Sequence, residues 1–157
     1  MKLVLLVVGA TTDHHLQTLI DDYASRLAHY MPFTLEVITE LRNTRALSAE
    51  QQKAQEALLI QKQLQPGDHV VLLDEHGTER RSVDFAAWLQ KRMAAGAMRI
   101  VCIVGGPYGF ATAIHDLARE EISLSKMTFS HQLIRLLIVE QLYRACTILR
   151  GEPYHHE

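Results

Sequence analysis

The chain has 157 residues, a length suited to one domain rather than to two separate cores or a disulfide-stapled miniprotein. Hydrophobic residues make up 48% and charged residues 22%, which excludes disordered, collagen-like and coiled-coil chains. Sixteen Lys and Arg stand against eighteen Asp and Glu, a net charge of -2, so no bulk positive field draws the chain onto nucleic acid or anionic lipid. Any polyanion partner must be held by a local patch.

Leu3 to Val8 is an uninterrupted apolar run ending at Gly9, the pattern of a strand covered on both faces. Leu16, Leu19, Ile20, Tyr23, Leu27 and Tyr30 then recur at helical spacing behind Thr12 and Asp13 as caps, and Pro32 closes the pattern. Phe33, Leu35 and Val37 alternate with Thr34 and Glu36, predicting a half-exposed strand. Leu41 to Leu47 is polar and gives no assignment. Ser48 and Gln51 have capping-box spacing and open a helix through about Leu64, before Pro66-Gly67 forces a turn.

His69 to Leu73 reads as another buried strand, followed by the loop Asp74-Glu75-His76-Gly77. Ser82 is placed as N-cap of a helix carrying Phe85, Trp88, Leu89 and Met93, with Gly96 as its stop. Arg99 to Val104 is the clearest central strand. Beyond Gly105-Gly106-Pro107-Tyr108-Gly109 come a short helix with Ile114 and Leu117, a brief strand near Ile122 to Leu124, and a last helix from about Gln132 to Leu149. Strands separated by crossover helices indicate an α/β layer with a mainly parallel sheet flanked by helices, in a single domain over residues 1–157.

Around the last helix the apolar positions occupy almost the whole circumference, with Gln132, Arg135, Glu140, Gln141, Arg144 and Thr147 interspersed. Such a helix wants cover on more than one side. A homodimer packing these helices together supplies it, and so does a central helix wrapped within its own monomer.

Cys102 and Cys146 form no C-x-x-C pair and read as small core hydrophobes in a reducing compartment. The apolar start is too short for a signal peptide, and no run approaches the roughly 18 residues of a membrane span, so a cytoplasmic protein without membrane contact is expected. Nine histidines include the adjacent pairs His14-His15 and His155-His156 but no H-x-x-x-H or H-E-x-x-H, so no metal is expected.

In open parallel sheets ligands bind beyond the carboxyl ends of the strands. Three loops qualify: Leu73 to Gly77, Gly105 to Gly109, and Ser123 to Thr128. Gly105 and Gly106 admit close approach of a ligand to backbone, or serve a tight turn alone. The loop is neither a G-x-G-x-x-G fingerprint nor a Walker A sequence, which weighs against nicotinamide and nucleoside triphosphate ligands. No G-x-S-x-G elbow marks a nucleophilic serine. The tail Pro153-Tyr154-His155-His156-Glu157 gathers groups that stack on a base, donate to phosphate or move a proton.

Four ordered segments then stand out together: Val104-Gly105-Gly106-Pro107-Tyr108-Gly109, Ser123-Leu124-Ser125-Lys126-Met127-Thr128-Phe129-Ser130-His131, Glu140-Gln141-Leu142-Tyr143-Arg144-Ala145 and Pro153-Tyr154-His155-His156-Glu157. They resemble the ribosomal RNA large subunit methyltransferase H family of the SPOUT superfamily. Met1-Lys2-Leu3, Met31-Pro32-Phe33 and Leu73-Asp74 before Gly77 extend the likeness over essentially the full length.

The resemblance implies a SPOUT α/β fold with a C-terminal trefoil knot, a homodimer, and S-adenosyl-L-methionine as methyl donor. It implies N3-methylation of a pseudouridine in helix 69 of 23S rRNA, on assembled ribosomes. Carried onto this chain, it makes Leu73, Gly105, Leu124, Ser125, Lys126, Met127, Thr128 and Phe129 cofactor-binding residues. Phe129-Ser130-His131 replaces the commoner Leu-Pro-His, and His156 replaces an arginine in the tail, exchanging a permanent cation for one whose charge depends on pH.

Methyl transfer from a sulfonium needs positioning above all. The departing N3 proton requires an acceptor, and Tyr154, His155 and Glu140 all qualify. Arg135 and Arg144 are candidates for phosphate or the cofactor carboxylate, although Glu140 and Arg144 at i,i+4 also suit a mutual pair. Two rival readings are a generic α/β nucleotide-binding protein using the glycine loop and a ribosome-associated module without activity.

Overall fold

The computed structural model describes all 157 residues. Five strands, β1 (Lys2–Val8), β2 (Phe33–Ile38), β3 (His69–Glu79), β4 (Arg99–Val104) and β5 (Glu120–Ser123), form one sheet in the order β2-β1-β4-β3-β5. Every pairing is parallel. Parallel neighbours need crossovers, and these are α1 (His14–Ala28), α2 (Ala49–Gln63), α3 (Ser82–Ala94) and α4 (Thr112–Leu117), with α5 (Leu133–Leu149) closing the chain.

The continuous apolar runs have a direct explanation, because the sheet is buried on both faces. Leu3, Leu5 and Val7 of β1 join Ile100, Cys102 and Val104 of β4 in one layer, beneath Leu27 of α1, Leu89 of α3 and Ile138 of α5. Val4, Leu6 and Val8 point the other way, with Val101 and Ile103, against Ile60 of α2 and Ile114 of α4. Cys102 and Cys146 are both free and buried, with Cys146 Sγ 3.9 Å from Met31 Sδ.

Capping follows the sequence at two helices. Asp13 accepts from Leu16 N at the start of α1, and Ser48 and Gln51 form a reciprocal capping box on α2, each device contributing about 1 kcal/mol. At α3 the expectation is corrected. Arg81 occupies the cap position, and Ser82 instead donates from Oγ to Gln141 Oε1 at 2.8 Å, tying α3 to α5. The unassigned 41–47 segment contains a 3-10 turn, Thr44–Ala46, entered through Asn43 at a φ of 56°.

A second correction concerns β3, which does not stop at Leu73. It continues to Glu79 through a register break between Leu73 and Thr78, so Asp74 to Gly77 is a bulge within the strand. Gly77 is required there: a Cβ on it would lie 2.6 Å from the backbone of Glu121 and Ile122 in β5.

α5 runs between α1 and α3 over the sheet, and Ile138, Val139, Leu142, Ala145 and Cys146 are buried on it. Its first turn is less covered, with Leu133 39% exposed. No helix is long and apolar enough to cross a membrane.

Candidate functional site

The carboxyl ends of β3, β4 and β5 enclose a cavity of about 390 Å³. Leu73, the last β3 residue before the bulge, forms one wall opposite its pairing partner Val104. Gly105 follows β4 directly, and Gly106-Pro107-Tyr108-Gly109 closes as a tight turn, with Gly109 N donating to Gly106 O at 3.1 Å and a φ of 80° at Gly109. Neither glycine has room for a side chain. A Cβ on Gly105 would sit 3.1 Å from the Phe110 ring, and one on Gly106 would sit 2.8 Å from the Glu56 carboxylate. Packing therefore accounts for this pair, and it leaves the loop backbone lining the cavity.

The third wall is the segment after β5. It holds its shape through short-range hydrogen bonds: Ser123 Oγ donates to Ser125 O at 2.8 Å, and Met127 N donates to Ser125 Oγ at 2.9 Å. Thr128 Oγ1 donates to Glu75 Oε2 at 3.0 Å and so joins this wall to the β3 bulge. Leu124, Ser125, Met127, Thr128 and Phe129 all line the cavity. Lys126 is absent from the lining, and its side chain is exposed.

Asp74 and Glu75 place two carboxylates on the rim, and Asp74 Oδ1 accepts from His76 N at 2.8 Å. Sequence reading singled out their loop but not these side chains. The chamber is thus part apolar, part backbone and part anionic, within the roughly 300–1,000 Å³ usual for small-molecule sites.

Ile122, Ser123, Leu124 and Phe129 also form one side of a smaller cavity of about 260 Å³, whose other side includes Arg80, Ser82, Glu140 and Gln141. Glu140 links it to the tail. Its Oε1 accepts from Arg144 Nη2 at 2.7 Å, Arg144 Nε at 3.1 Å and Tyr154 Oη at 2.9 Å, while Oε2 accepts from Gln141 Nε2 at 2.8 Å. Arg144 stacks over the Tyr154 ring at 4.6 Å and reaches His155 Nδ1 with Nη1 at 3.2 Å. Because an arginine only donates, that contact makes His155 Nδ1 the acceptor and leaves the ring proton on Nε2. Glu140, Arg144, Tyr154 and His155, assembled from two separate segments of sequence, form one cluster.

Burial, with hydrogen bonding to Tyr23 and Glu140, raises the Tyr154 hydroxyl above its ordinary pKa, so it stays a donor at neutral pH. Burial alone would lower the Arg144 guanidinium, but the bonding and charge of Glu140 outweigh it and hold it above its usual value.

Arg135 has a different place from the one expected. It is 0% exposed, with its guanidinium turned onto backbone at the end of β1, so it meets neither phosphate nor a cofactor carboxylate. No three His, Cys, Asp or Glu side chains converge as a metal set. The smaller cavity's Arg80, Ser82 and Gln141 were missed as site residues, because no local spacing links the start of α3 to the last helix.

A family model described as "Predicted SPOUT methyltransferase" matches residues 1–155. The chain is similar to the ribosomal RNA large subunit methyltransferase H of Phocaeicola vulgatus, with 61% identity over 157 residues, and to that of Bacteroides fragilis, with 59%, each alignment covering 100% of both chains. Its fold is similar to that of a solved probable methyltransferase from Bordetella pertussis Tohama I, at a TM-score of 0.54 and 11% identity, covering 92% of this chain and 94% of that one. With its full-length relatives and a parallel α/β sheet whose strand ends enclose one chamber, this chain belongs to the SPOUT methyltransferase family.

Proposed function

We propose that this methyltransferase uses S-adenosyl-L-methionine to methylate N3 of a pseudouridine in helix 69 of 23S rRNA, on assembled ribosomes. The observation that carries the reading is the pair of adjoining cavities, one at the strand ends and one leading to Glu140 and the tail. Two substrates must meet at one wall, and Leu124 and Phe129 stand on that wall.

The larger cavity fits the donor by its chemistry. Leu73, Val104 and Ile122 offer apolar contact for an adenine ring, and Asp74 and Glu75 offer negative charge to an ammonium or sulfonium group. Leu73, Gly105, Leu124, Ser125, Met127, Thr128 and Phe129 are assigned to hold it, with Lys126 outside the set. S-adenosyl-L-methionine supplies an electrophilic methyl group, and the protein's main contribution is to orient the acceptor in line with it.

Of the three groups qualified to take the N3 proton, Glu140 is the one that lines either of these two cavities. As the N3–methyl bond forms, the N3 proton becomes strongly acidic, so an acceptor within reach is sufficient. Glu140 takes that proton in this reading. Arg144 and Tyr154 fix its carboxylate, and His155 positions Arg144. The tail beyond them faces RNA.

The trefoil knot belongs to the same reading. The chain leaves edge strand β5, passes the ends of β3 and β4, and reaches the end of β1, where Gln132 Nε2 donates to Ala10 O. A homodimer suits the partly exposed first turn of α5, and a ribosomal substrate suits the cytoplasm. The test is mass spectrometry of 23S rRNA fragments after incubating ribosomes with the protein and labelled donor. A single methyl group on N3 of a helix 69 pseudouridine is expected; an unmodified helix 69 refutes the reading.

A further inference from the structure

Arg135 is the one charged side chain with no exposure at all, and no carboxylate comes within hydrogen-bonding distance of it. Its guanidinium donates from Nη2 to Val8 O at 2.8 Å, from Nη1 to Gly9 O at 2.8 Å and to Thr11 Oγ1 at 3.1 Å, and from Nε to His131 O at 3.1 Å. Burial lowers its pKa, with the Glu40 charge opposing. A dry cation held by neutral oxygens is costly, and a core position on α5 next to Ile138 and Val139 is ordinarily apolar.

One turn earlier, Gln132 repeats the connection from the surface. Its Nε2 donates to Ala10 O at 3.1 Å, and its Oε1 accepts from Thr12 N at 3.0 Å. Two side chains therefore bind each of five consecutive residues, Val8 to Thr12, to the segment that brings the cavity wall into α5. Beyond its short-range hydrogen bonds and the tie from Thr128 to Glu75, the wall has no regular structure to fix it. Residues 126–130 are exposed and outside regular structure, and their upstream end is held by β5. His131 and Ile134, which flank Gln132, line the larger cavity.

The geometry points to Arg135 and Gln132 as positioning residues: a latch that anchors the downstream end of the 124–131 wall to the end of β1 and thereby sets the affinity of the cavity for its occupant. Neither residue touches the occupant. Arg135 acts through His131 O, and Gln132 acts through the loop after β1. The functional half of this inference rests on the larger cavity being the donor site.

The experiment uses the full chain as Gln132→Ala, Arg135→Lys and the wild type. Hydrogen exchange by mass spectrometry reads the wall, and calorimetry with S-adenosylhomocysteine reads the cavity. Gln132→Ala should keep the wild-type thermal midpoint to within a few degrees, speed exchange in 124–131 by about tenfold while leaving β4 unchanged, and weaken S-adenosylhomocysteine by about tenfold. The loss should appear in KM for the donor, with kcat at saturating donor within about twofold of wild type. Arg135→Lys keeps the charge and one donor atom, so it should share the exchange signature at a lower thermal midpoint. Unchanged exchange in 124–131 in Gln132→Ala overturns the latch whatever the cavity binds. Wild-type protein that ignores S-adenosylhomocysteine overturns the donor assignment instead, and the exchange arm still decides the latch.

Discussion

Tyr154 Oη donates at 2.9 Å to Glu140 Oε1, the oxygen that also takes Arg144 Nη2 at 2.7 Å. One carboxylate oxygen thus joins the tail to the last helix. Glu140→Gln removes the proton acceptor while preserving shape, and methyl transfer should fall by about 10²-fold or more with donor affinity unchanged. Tyr154→Phe should lower the rate less and cost about 1 kcal/mol of stability. Single-turnover assays on ribosomes and urea titrations check the two effects; full activity in Glu140→Gln returns the proton to another group.

Lining and non-lining residues of the same loop should separate cleanly. Leu124→Ala strips an apolar side chain from the wall between the two cavities and should weaken S-adenosylhomocysteine by about tenfold. Lys126→Ala, outside the lining, should stay within about twofold of wild type. Calorimetry on both variants checks the pair, and a large loss in Lys126→Ala puts that ammonium back in the site.

Away from the cavity, Glu120 bonds His69 at 2.9 Å, Trp88 Nε1 at 2.8 Å and Arg92 at 2.7 Å. Burial pushes its carboxyl up, but the bonds from His69 and Trp88 and the Arg92 charge outweigh this and hold it below the ordinary value. A carboxyl depressed in the folded state contributes stability that is present above its unfolded pKa, about 4.3, and lost as pH falls through the folded value. Glu120→Gln should therefore cost about 2 kcal/mol at neutral pH and flatten the loss below pH about 4. Denaturant midpoints from pH 3 to 7 check it; equal acid slopes for variant and wild type contradict the assignment.

Gly77→Ala drives a methyl group into β5 backbone that cannot step aside without breaking its pairing. A loss of about 3 kcal/mol is expected, measured by urea unfolding. By contrast, Gly67→Ala meets no atom within 4 Å, although its φ of 87° still carries local strain. It should cost about 1 kcal/mol.

What the sequence disclosed depended on how local each signal was. Leu3 to Val8 and Arg99 to Val104 announced buried strands because both faces of the sheet are covered. The extension of β3 to Glu79 was hidden, since Asp74 to Gly77 has turn composition and only pairing with β5 draws it into the sheet. The loops forming the cavity were legible from the α/β pattern. Arg135 was not, because the Val8 and Gly9 carbonyls that take its two terminal nitrogens are 127 and 126 positions away in the chain, and on a helical projection it looks like any other polar residue. Lys126 was assigned by motif, and a motif does not say which way one side chain in a loop turns.

Cys102 and Cys146 sit in the same apolar layer on β4 and α5, and burial pushes their thiols up to about 12 and about 11. At neutral pH neither offers a nucleophilic thiolate to an alkylating reagent while the sheet stays closed. Their modification is therefore a clock for opening of the core: its rate reads how often α5 lifts from the strands, and occupancy of the chamber should slow it.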